Sequence, residues 1–188
     1  VPITDLIEQM HEHVKTNYLN RYKGEWSDAD IEKTADMVTQ GAIKYGMNAM
    51  DPNKKIVFKM DEWLKLEGES GPFIQYSHAR IQSLLSKIQS SGSVDFSKLQ
   101  EKAEVQLMLK LAQFNKVVES GAQQLKTTLM CAYLFDVAKL FNSFYHDCPI
   151  GKLEDESLKA SRLALAQATG LVLKQGLALL GIPAPDKM

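Results

Sequence analysis

Residues 67–87 read EGESGPFIQYSHARIQSLLSK, and this segment constrains the fold more than any other stretch of the chain. Gly71 and Pro72 stand at its start, and Pro72 suits the first helical position, where a backbone N–H is not needed. At about 100° per residue, one face of the helix that follows is aliphatic. We expect that face to lie in the core, and its members are Ile74, Ile81, Leu85 and Ile88.

A second stripe on the same predicted helix contains Phe73, Tyr76 and Arg80, at positions i, i+3 and i+7. Two aromatic rings and a guanidinium at the edge of a core form a stacking surface with a donor attached, which is what an unstacked RNA base requires. The spacing also fits a structural role, in which the two rings widen the core while Arg80 extends its stem along it. Spacing alone favours the structural role.

Helical periodicity continues upstream of this segment. Asp5 and Glu8 are placed as a capping pair for a first helix, and Ser27 with Asp30 starts a second one. The two predicted apolar stripes are Ile3, Leu6, Ile7, Met10 and Val14, and then Ile31, Ala35, Val38, Ala42 and Tyr45.

Downstream, a loop at residues 90–93 is followed by a helix-rich stretch over residues 95–148, which we expect to break near Gly121. A last helix is predicted over residues 154–180, with Gly181 as its stop. Residues 53–60 look extended, but no alternating strand pattern and no internal repeat occurs. The sequence therefore predicts an all-α helical bundle.

Composition excludes several classes of protein. The 188 residues are 45% hydrophobic, which is too apolar for a disordered chain and suits one domain with at most a small annex. Because 22 basic residues balance 23 acidic ones, the chain cannot bind nucleic acid through bulk charge. A protein that reads RNA with a few placed aromatic and arginine side chains is still allowed.

Cellular location is predicted from cysteine use and hydropathy. Cys131 and Cys148 show no CxxC spacing, and two cysteines in a chain of this length do not make a disulfide scaffold. No run approaches the roughly 18 apolar residues of a membrane span, and no signal peptide is evident. We therefore expect a cytoplasmic protein without a membrane partner. Because the first residue is Val1 rather than Met, we also expect the chain to be processed or cut from a longer protein.

Catalytic and metal-binding patterns are missing from the sequence. His11 and His13 are two residues apart, so they point to different sides of a helix and cannot chelate one metal ion. The sequence has no P-loop, no Rossmann glycine fingerprint and no GxSxG. The residues alone predict a non-catalytic helical module without a bound metal or cofactor.

The segment at residues 67–81, EGESGPFIQYSHARI, closely resembles the E-G-N-T-G-P-Y-x-Q-Y-x-H-x-R signature of arginyl-tRNA synthetases. That signature opens their helical anticodon-binding domain, the DALR domain. Three further blocks resemble the same family in the same order: residues 41–68, residues 133–150 (YLFDVAKLFNSFYHDCPI) and residues 160–188 (ASRLALAQATGLVLKQGLALLGIPAPDKM). Four ordered blocks are far more specific than one motif.

The resemblance implies a helical bundle of the class I aminoacyl-tRNA synthetase anticodon-binding type. It assigns residues 67–188 to the DALR bundle and residues 1–66 to a connecting helical region that follows the catalytic domain. Neither the HIGH motif nor the KMSKS motif occurs in the chain. The resemblance therefore implies a fragment, inactive alone, of an enzyme that attaches arginine to its tRNA with ATP and Mg²⁺ and that we expect to be monomeric.

The family pattern also implies a set of residues that bind the anticodon loop of arginine tRNA. Phe73, Tyr76 and Arg80 match positions that face the loop, and Tyr145 and Met188 match two further ones. The full predicted site is Phe73, Gln75, Tyr76, His78, Arg80, Tyr145 and Met188. The main departures from the family pattern are Glu69 for Asn, Ser70 for Thr, Phe73 for Tyr, Ser86 for a basic residue and Asn115 for Pro, and the DALR tetrapeptide itself does not occur.

The last residues of the sequence are expected to reach the RNA. Pro183 and Pro185 stiffen the segment after Gly181, which lowers the entropy lost when it is ordered. We expect Met188 to lie against a base with Lys187 near the RNA backbone, and we expect removal of residues 186–188 to leave thermal stability unchanged. The alternative to RNA binding is a protein–protein interaction module with an aromatic groove, which salt should weaken far less.

Overall fold

The computed structural model describes residues 2–188, so that Val1, the first residue of the predicted connecting region, lies outside the described residues. Within residues 2–188 the chain forms eight α-helices and no β-strand, which confirms the all-α class. The helices are α1 (Ile3–Val14), α2 (Asp28–Asn48), α3 (Met60–Trp63), α4 (Gly71–Lys87), α5 (Lys102–Leu111), α6 (Phe114–Gln124), α7 (Thr127–Asp147) and α8 (Glu156–Leu179). A π-helical turn (Lys15–Leu19) and a 3₁₀ turn (Asn20–Tyr22) extend α1, and another 3₁₀ turn (Phe96–Lys98) precedes α5.

The starts of α2 and α4 are capped by serine side chains. Ser27 Oγ accepts a hydrogen bond from the Asp30 backbone N–H at 3.1 Å, as predicted. Ser70 Oγ accepts from the Phe73 N–H at 3.1 Å, so the serine at this position makes a side-chain cap. The capping pair predicted for α1 is wrong, because that helix begins directly after Pro2 with no side-chain cap.

The helix-rich stretch breaks at different residues from those predicted. Gly121 lies inside α6, and the break comes at Leu125, whose φ of 52° is left-handed and ends the helix. A second break separates α5 from α6 at residues 112–113. Gly181 has a φ of 70° after α8, as expected for a helix stop.

Two hydrophobic cores hold the helices together. The large core packs α4, α5, α7 and α8 around side chains that include Ile74, Ile81, Leu134, Phe141, Phe144 and Leu173. The small core contains Met10, Val14, Leu19, Ile31, Ala35, Val38, Ala42, Leu64, Ala79 and Met188. The predicted stripe of α1 is half wrong, because Ile3 and Ile7 are exposed while Met10 and Val14 are buried. Leu85 of α4 and Ile88, which follows the end of that helix, are only partly buried, and Leu84 is the buried residue of the last turn.

Helices α2 and α4 cross in close contact through two glycines. A Cβ added to Gly71 would lie 2.3 Å from the backbone oxygen of Gly41, so no larger residue fits without moving the backbone. A Cβ on Gly41 would in turn overlap the side-chain amide of Gln75. This crossing fixes α4 between the two cores, with one face toward each.

Candidate nucleic-acid interface

A groove of about 780 Å³ lies where the two cores meet. One wall is formed by α4 and α7, and the other by the turn that follows α1 together with residues 186–188. The aromatic and cationic residues that line it are Tyr22, Trp26, Tyr76, Arg80, Lys87, Tyr145 and Lys187.

The guanidinium of Arg80 is held by three neighbours. Its Nη1 donates to Asn142 Oδ1 at 2.9 Å, and its Nη2 donates to the Tyr76 hydroxyl at 3.0 Å. Its Cζ lies 4.7 Å from the centroid of the Tyr76 ring and 5.4 Å from that of Tyr145, within the range of cation–π attraction. Since an arginine side chain has five N–H donors, the bonds to these described residues leave donors for an acceptor in the groove.

The structure therefore brings four of the predicted site residues to one groove: Tyr76, Arg80, Tyr145 and Met188. Tyr145 is 42% exposed, so its ring is accessible at the mouth of the groove. Phe73 does not join them. Its ring packs against Phe135 of α7, with 5.7 Å between the ring centroids, at the edge of the large core.

Gln75 and His78 are fully buried, which argues against direct contact with RNA. Gln75 Nε2 donates to the backbone oxygens of Met37 and Pro183, at 2.8 and 2.7 Å. His78 Nδ1 lies 2.9 Å from the backbone oxygen of Pro185. Both side chains thus hold the segment after Gly181 against α2 and α4.

The hydrogen bonds of His78 define its tautomer. A backbone oxygen only accepts, so Nδ1 carries the proton, and Nε2 accepts from the Gln82 amide at 3.3 Å. Burial lowers the pKa of His78 because the charged form loses its water, while Pro185 and Asp186 act in the opposite direction. His78 is therefore a neutral donor that anchors the chain at Pro185.

The segment that ends at Met188 is held by hydrogen bonds at both of its ends. Lys44 Nζ donates to the Gly181 oxygen at 2.6 Å, and the Tyr22 hydroxyl donates to the Met188 oxygen at 3.3 Å. Lys187 Nζ lies 3.0 Å from Asp30 Oδ2, and this bond, with one from Ser27, holds the pKa of Asp30 below its usual range.

Met188 lines the groove with only a small exposed edge, and its contact with a base stays a prediction. Met188 is only 9% exposed and belongs to the small core. Its side chain packs against this core and also forms part of the lining of the groove. Removal of residues 186–188 would therefore open that core, and the expectation of unchanged stability needs correction.

Comparison with known proteins identifies the family. The model of the DALR anticodon binding domain family matches residues 74–188, which is more than half of the chain. The chain belongs to the DALR anticodon-binding domain family. The match starts inside α4 and covers α5, α6, α7 and α8.

The whole chain is similar to parts of longer proteins. It is 55% identical over its whole length to an arginine–tRNA ligase of Bdellovibrio bacteriovorus and covers 33% of that protein. Over 84% of the chain it is 41% identical to the arginine–tRNA ligase of Clostridium botulinum, of which it covers 28%. All of it superposes on 32% of Thermus thermophilus arginyl-tRNA synthetase, with a TM-score of 0.91 and 31% identity. The chain thus spans about a third of the length of the relatives it matches.

Sequence reasoning missed three residues around the groove: Tyr22, Trp26 and Asn142. Asn142 precedes Tyr145 by one helical turn, so the spacing on α7 could have indicated it. Tyr22 and Trp26 lie in a turn outside any apolar stripe. Two aromatic residues in so short a loop could have indicated a binding surface. Within the described residues no helix could cross a membrane, and no cluster of three potential metal ligands is found.

Proposed function

We propose that this DALR domain binds the anticodon loop of arginine tRNA as part of an arginine–tRNA ligase. The observation that carries the proposal is the Arg80 guanidinium, which lies near the Tyr76 and Tyr145 rings and lines an open groove together with them. The names of its relatives and their identity of 55% and 41% support arginine tRNA as the partner. The predicted division into residues 1–66 and residues 67–188 remains a prediction.

The base that all arginine tRNAs share explains why an arginine side chain suits this position. Arginine codons are CGN and AGR, so their anticodons have C in the middle. An unstacked cytosine offers two adjacent acceptors on its base-pairing edge, whereas guanine offers an N–H donor there. The guanidinium of Arg80 only donates, so it would bind the cytosine edge and face a donor in guanine. The Tyr76 and Tyr145 rings would supply stacking, worth about 1–3 kcal/mol per base.

Gln75 and His78 enter this proposal as positioning residues. They hold the oxygens of Pro183 and Pro185, and through them they place Lys187 at the wall of the groove. Phe73 lies outside the groove and would support α4 through its contact with Phe135. The residues proposed to touch RNA are therefore Tyr76, Arg80, Tyr145 and Lys187.

The chemistry of aminoacylation would belong to another part of the enzyme. ATP with Mg²⁺ would bind the catalytic domain, whose HIGH and KMSKS motifs this chain does not contain. The residues described here contribute recognition, and we expect the whole enzyme to act as a monomer in the cytoplasm. Accordingly, the chain alone should show no arginine-dependent ATP–pyrophosphate exchange, and detectable exchange would contradict this part of the proposal.

The direct test is a binding titration of the chain with arginine tRNA and with the same tRNA carrying G at the middle anticodon position. We expect the change to weaken binding by roughly 5- to 150-fold, equivalent to about 1–3 kcal/mol. Arg80→Met should weaken binding of the normal tRNA, while Lys116→Met, which removes an exposed cation from α6, serves as the matched control. Equal affinity for both tRNAs, or binding that is insensitive to salt, would favour a protein–protein interaction module instead.

A further inference from the structure

Two aromatic side chains from outside the family match, Tyr22 and Trp26, line the same groove as Arg80. The rings of Tyr22 and Trp26 are stacked, with 4.3 Å between their centroids and 4° between their planes. The turn that joins them is closed by hydrogen bonds from the Glu25 and Trp26 N–H groups to the Tyr22 oxygen, at 3.0 and 2.9 Å. Gly24, with a φ of 89°, allows the chain to reverse there.

The Trp26 ring already carries a cation. Lys187 Nζ lies 4.6 Å from its centroid and pairs with Asp30. Both members of this pair are nearly half exposed, at 47% and 44% of their side-chain surface. Exposed ion pairs of this kind contribute little, so a phosphate could draw Lys187 from Asp30 with little loss.

The size and charge of the groove fit more than one nucleotide. Its volume of about 780 Å³ lies within the range of about 300–1,000 Å³ that encloses a whole drug-sized ligand, so one base held at Arg80 would not fill it. Its charged lining consists of the cations Arg80, Lys87 and Lys187 and the carboxylates Glu25 and Asp186. The indole ring of Trp26 supplies a π surface on which a second base can stack. The three cations can bind the phosphates of the same nucleotides.

We propose that Trp26 is a second base-stacking residue, which takes a nucleotide adjacent to the one held by Arg80 while Lys187 leaves both Asp30 and the Trp26 ring to bind a phosphate. This inference rests on the proposed function, because it assigns a second position within the same groove. Tyr22 acts as the positioning residue that keeps the indole parallel to an incoming base. The two-nucleotide site would therefore consist of residues from the turn after α1 and residues from the helical bundle, and it would need both.

Intrinsic fluorescence provides a direct test, since the chain has only two tryptophans. Trp63 contacts Phe58 edge-on at 4.8 Å, packs against Gly46, and does not line the groove. Trp63→Phe therefore leaves Trp26 as the sole reporter, and Trp26→Phe leaves Trp63. An RNA hairpin with the arginine anticodon loop should quench the first variant and leave the second nearly unchanged. Thermal melting of both variants confirms that they are folded.

Affinity measurements with the same hairpin complete the test. Trp26→Ala should weaken binding by roughly 5- to 150-fold, and Trp26→Phe by less because a ring remains. Lys187→Met should reduce the slope of log affinity against log salt by about 1. Tight binding with no quenching of Trp26 and no loss in Trp26→Ala would overturn this inference while leaving the proposed function intact. Absence of any binding by the unmodified chain would overturn both.

Discussion

The two cores differ in how they are closed. The large core is formed by helices that pack on one another within the bundle, with Tyr45 of α2 as an addition from outside. The small core starts with α1 and α2 but is completed by Ala79 of α4 and by Met188. The groove lies at this junction, so its shape depends on both cores. A predicted boundary between residues 66 and 67 therefore cuts through residues that share one core.

The largest expected effect tests whether the two cores unfold together. Phe141 is fully buried in the large core, and Phe141→Ala should cost about 3–5 kcal/mol of unfolding free energy. Because the small core depends on α4, its unfolding should shift by the same amount. Circular dichroism reports all helices, while Trp26 and Trp63 both pack against the small core and report it by fluorescence. The two signals should give the same midpoint in denaturant.

A matched control for this experiment is Leu109→Ala on α5, where the side chain is 62% exposed. It should change the stability by no more than about 0.5 kcal/mol. If Phe141→Ala lowered the midpoint seen by circular dichroism but not the one seen by tryptophan fluorescence, the cores would be independent and the boundary at residues 66 and 67 would also be an energetic one.

The second effect concerns the small core alone. Met188→Ala removes a buried side chain that closes this core and should cost about 2 kcal/mol or more of unfolding free energy. Lys187→Met changes an exposed pair and should leave stability within about 0.5 kcal/mol while weakening RNA binding. Denaturation and RNA titration of both variants would separate the two roles. A Met188→Ala variant with unchanged stability would show that the segment is not part of the core.

The third effect compares two aromatic residues of one motif. Tyr76→Ala should cost about 1–3 kcal/mol of RNA binding, because its ring lines the groove beside Arg80. Phe73→Ala removes a ring that faces Phe135 instead, so it should lower stability with little change in RNA affinity. Affinities are measured well below the melting temperature of each variant. Equal losses of affinity would mean that RNA contacts Phe73 as well.

How much the sequence could predict follows from the range of the interactions involved. The α2 cap at Ser27 and the stop at Gly181 are local, and both were predictable from residue type. The left-handed Leu125 was not, because leucine has no preference for that conformation. In the site, helical spacing predicted that Tyr76 and Arg80 are adjacent, because both residues lie on one helix four positions apart.

Contacts between distant segments were beyond this kind of reasoning. The bond from Gln75 to Pro183 spans 108 residues, and nothing in either local sequence indicates it. The placement of Trp26 in the groove depends on how α1 and α2 pack against α4. The family resemblance indicated which residues belong to the motif. Only their burial in the structure showed that His78 is enclosed while Arg80 is accessible.

The smallest expected effect is a pH dependence that arises at His78. Its pKa is lowered in the folded chain, chiefly by burial, from the ordinary value of 6.5. Below that pH the unfolded chain binds more protons than the folded one, so stability should be fully present above about pH 6.5 and fall as the pH decreases. Asp186 acts against the shift and Lys174 acts with it, so both should be kept unchanged in the variants compared.

His78→Asn isolates this contribution. The asparagine amide can donate to the Pro185 oxygen from nearly the position of Nδ1, but it takes up no proton. The unfolding free energy of the unmodified chain should therefore decrease more between about pH 7.5 and 5.5 than that of His78→Asn. The other histidines are present in both proteins, so their contributions cancel in the difference. His78→Leu should in addition weaken RNA binding, because Pro185 loses its donor and Lys187 its fixed position, whereas His78→Asn should retain it. Identical pH slopes in the unmodified chain and His78→Asn would show that His78 titrates normally and that its burial is transient.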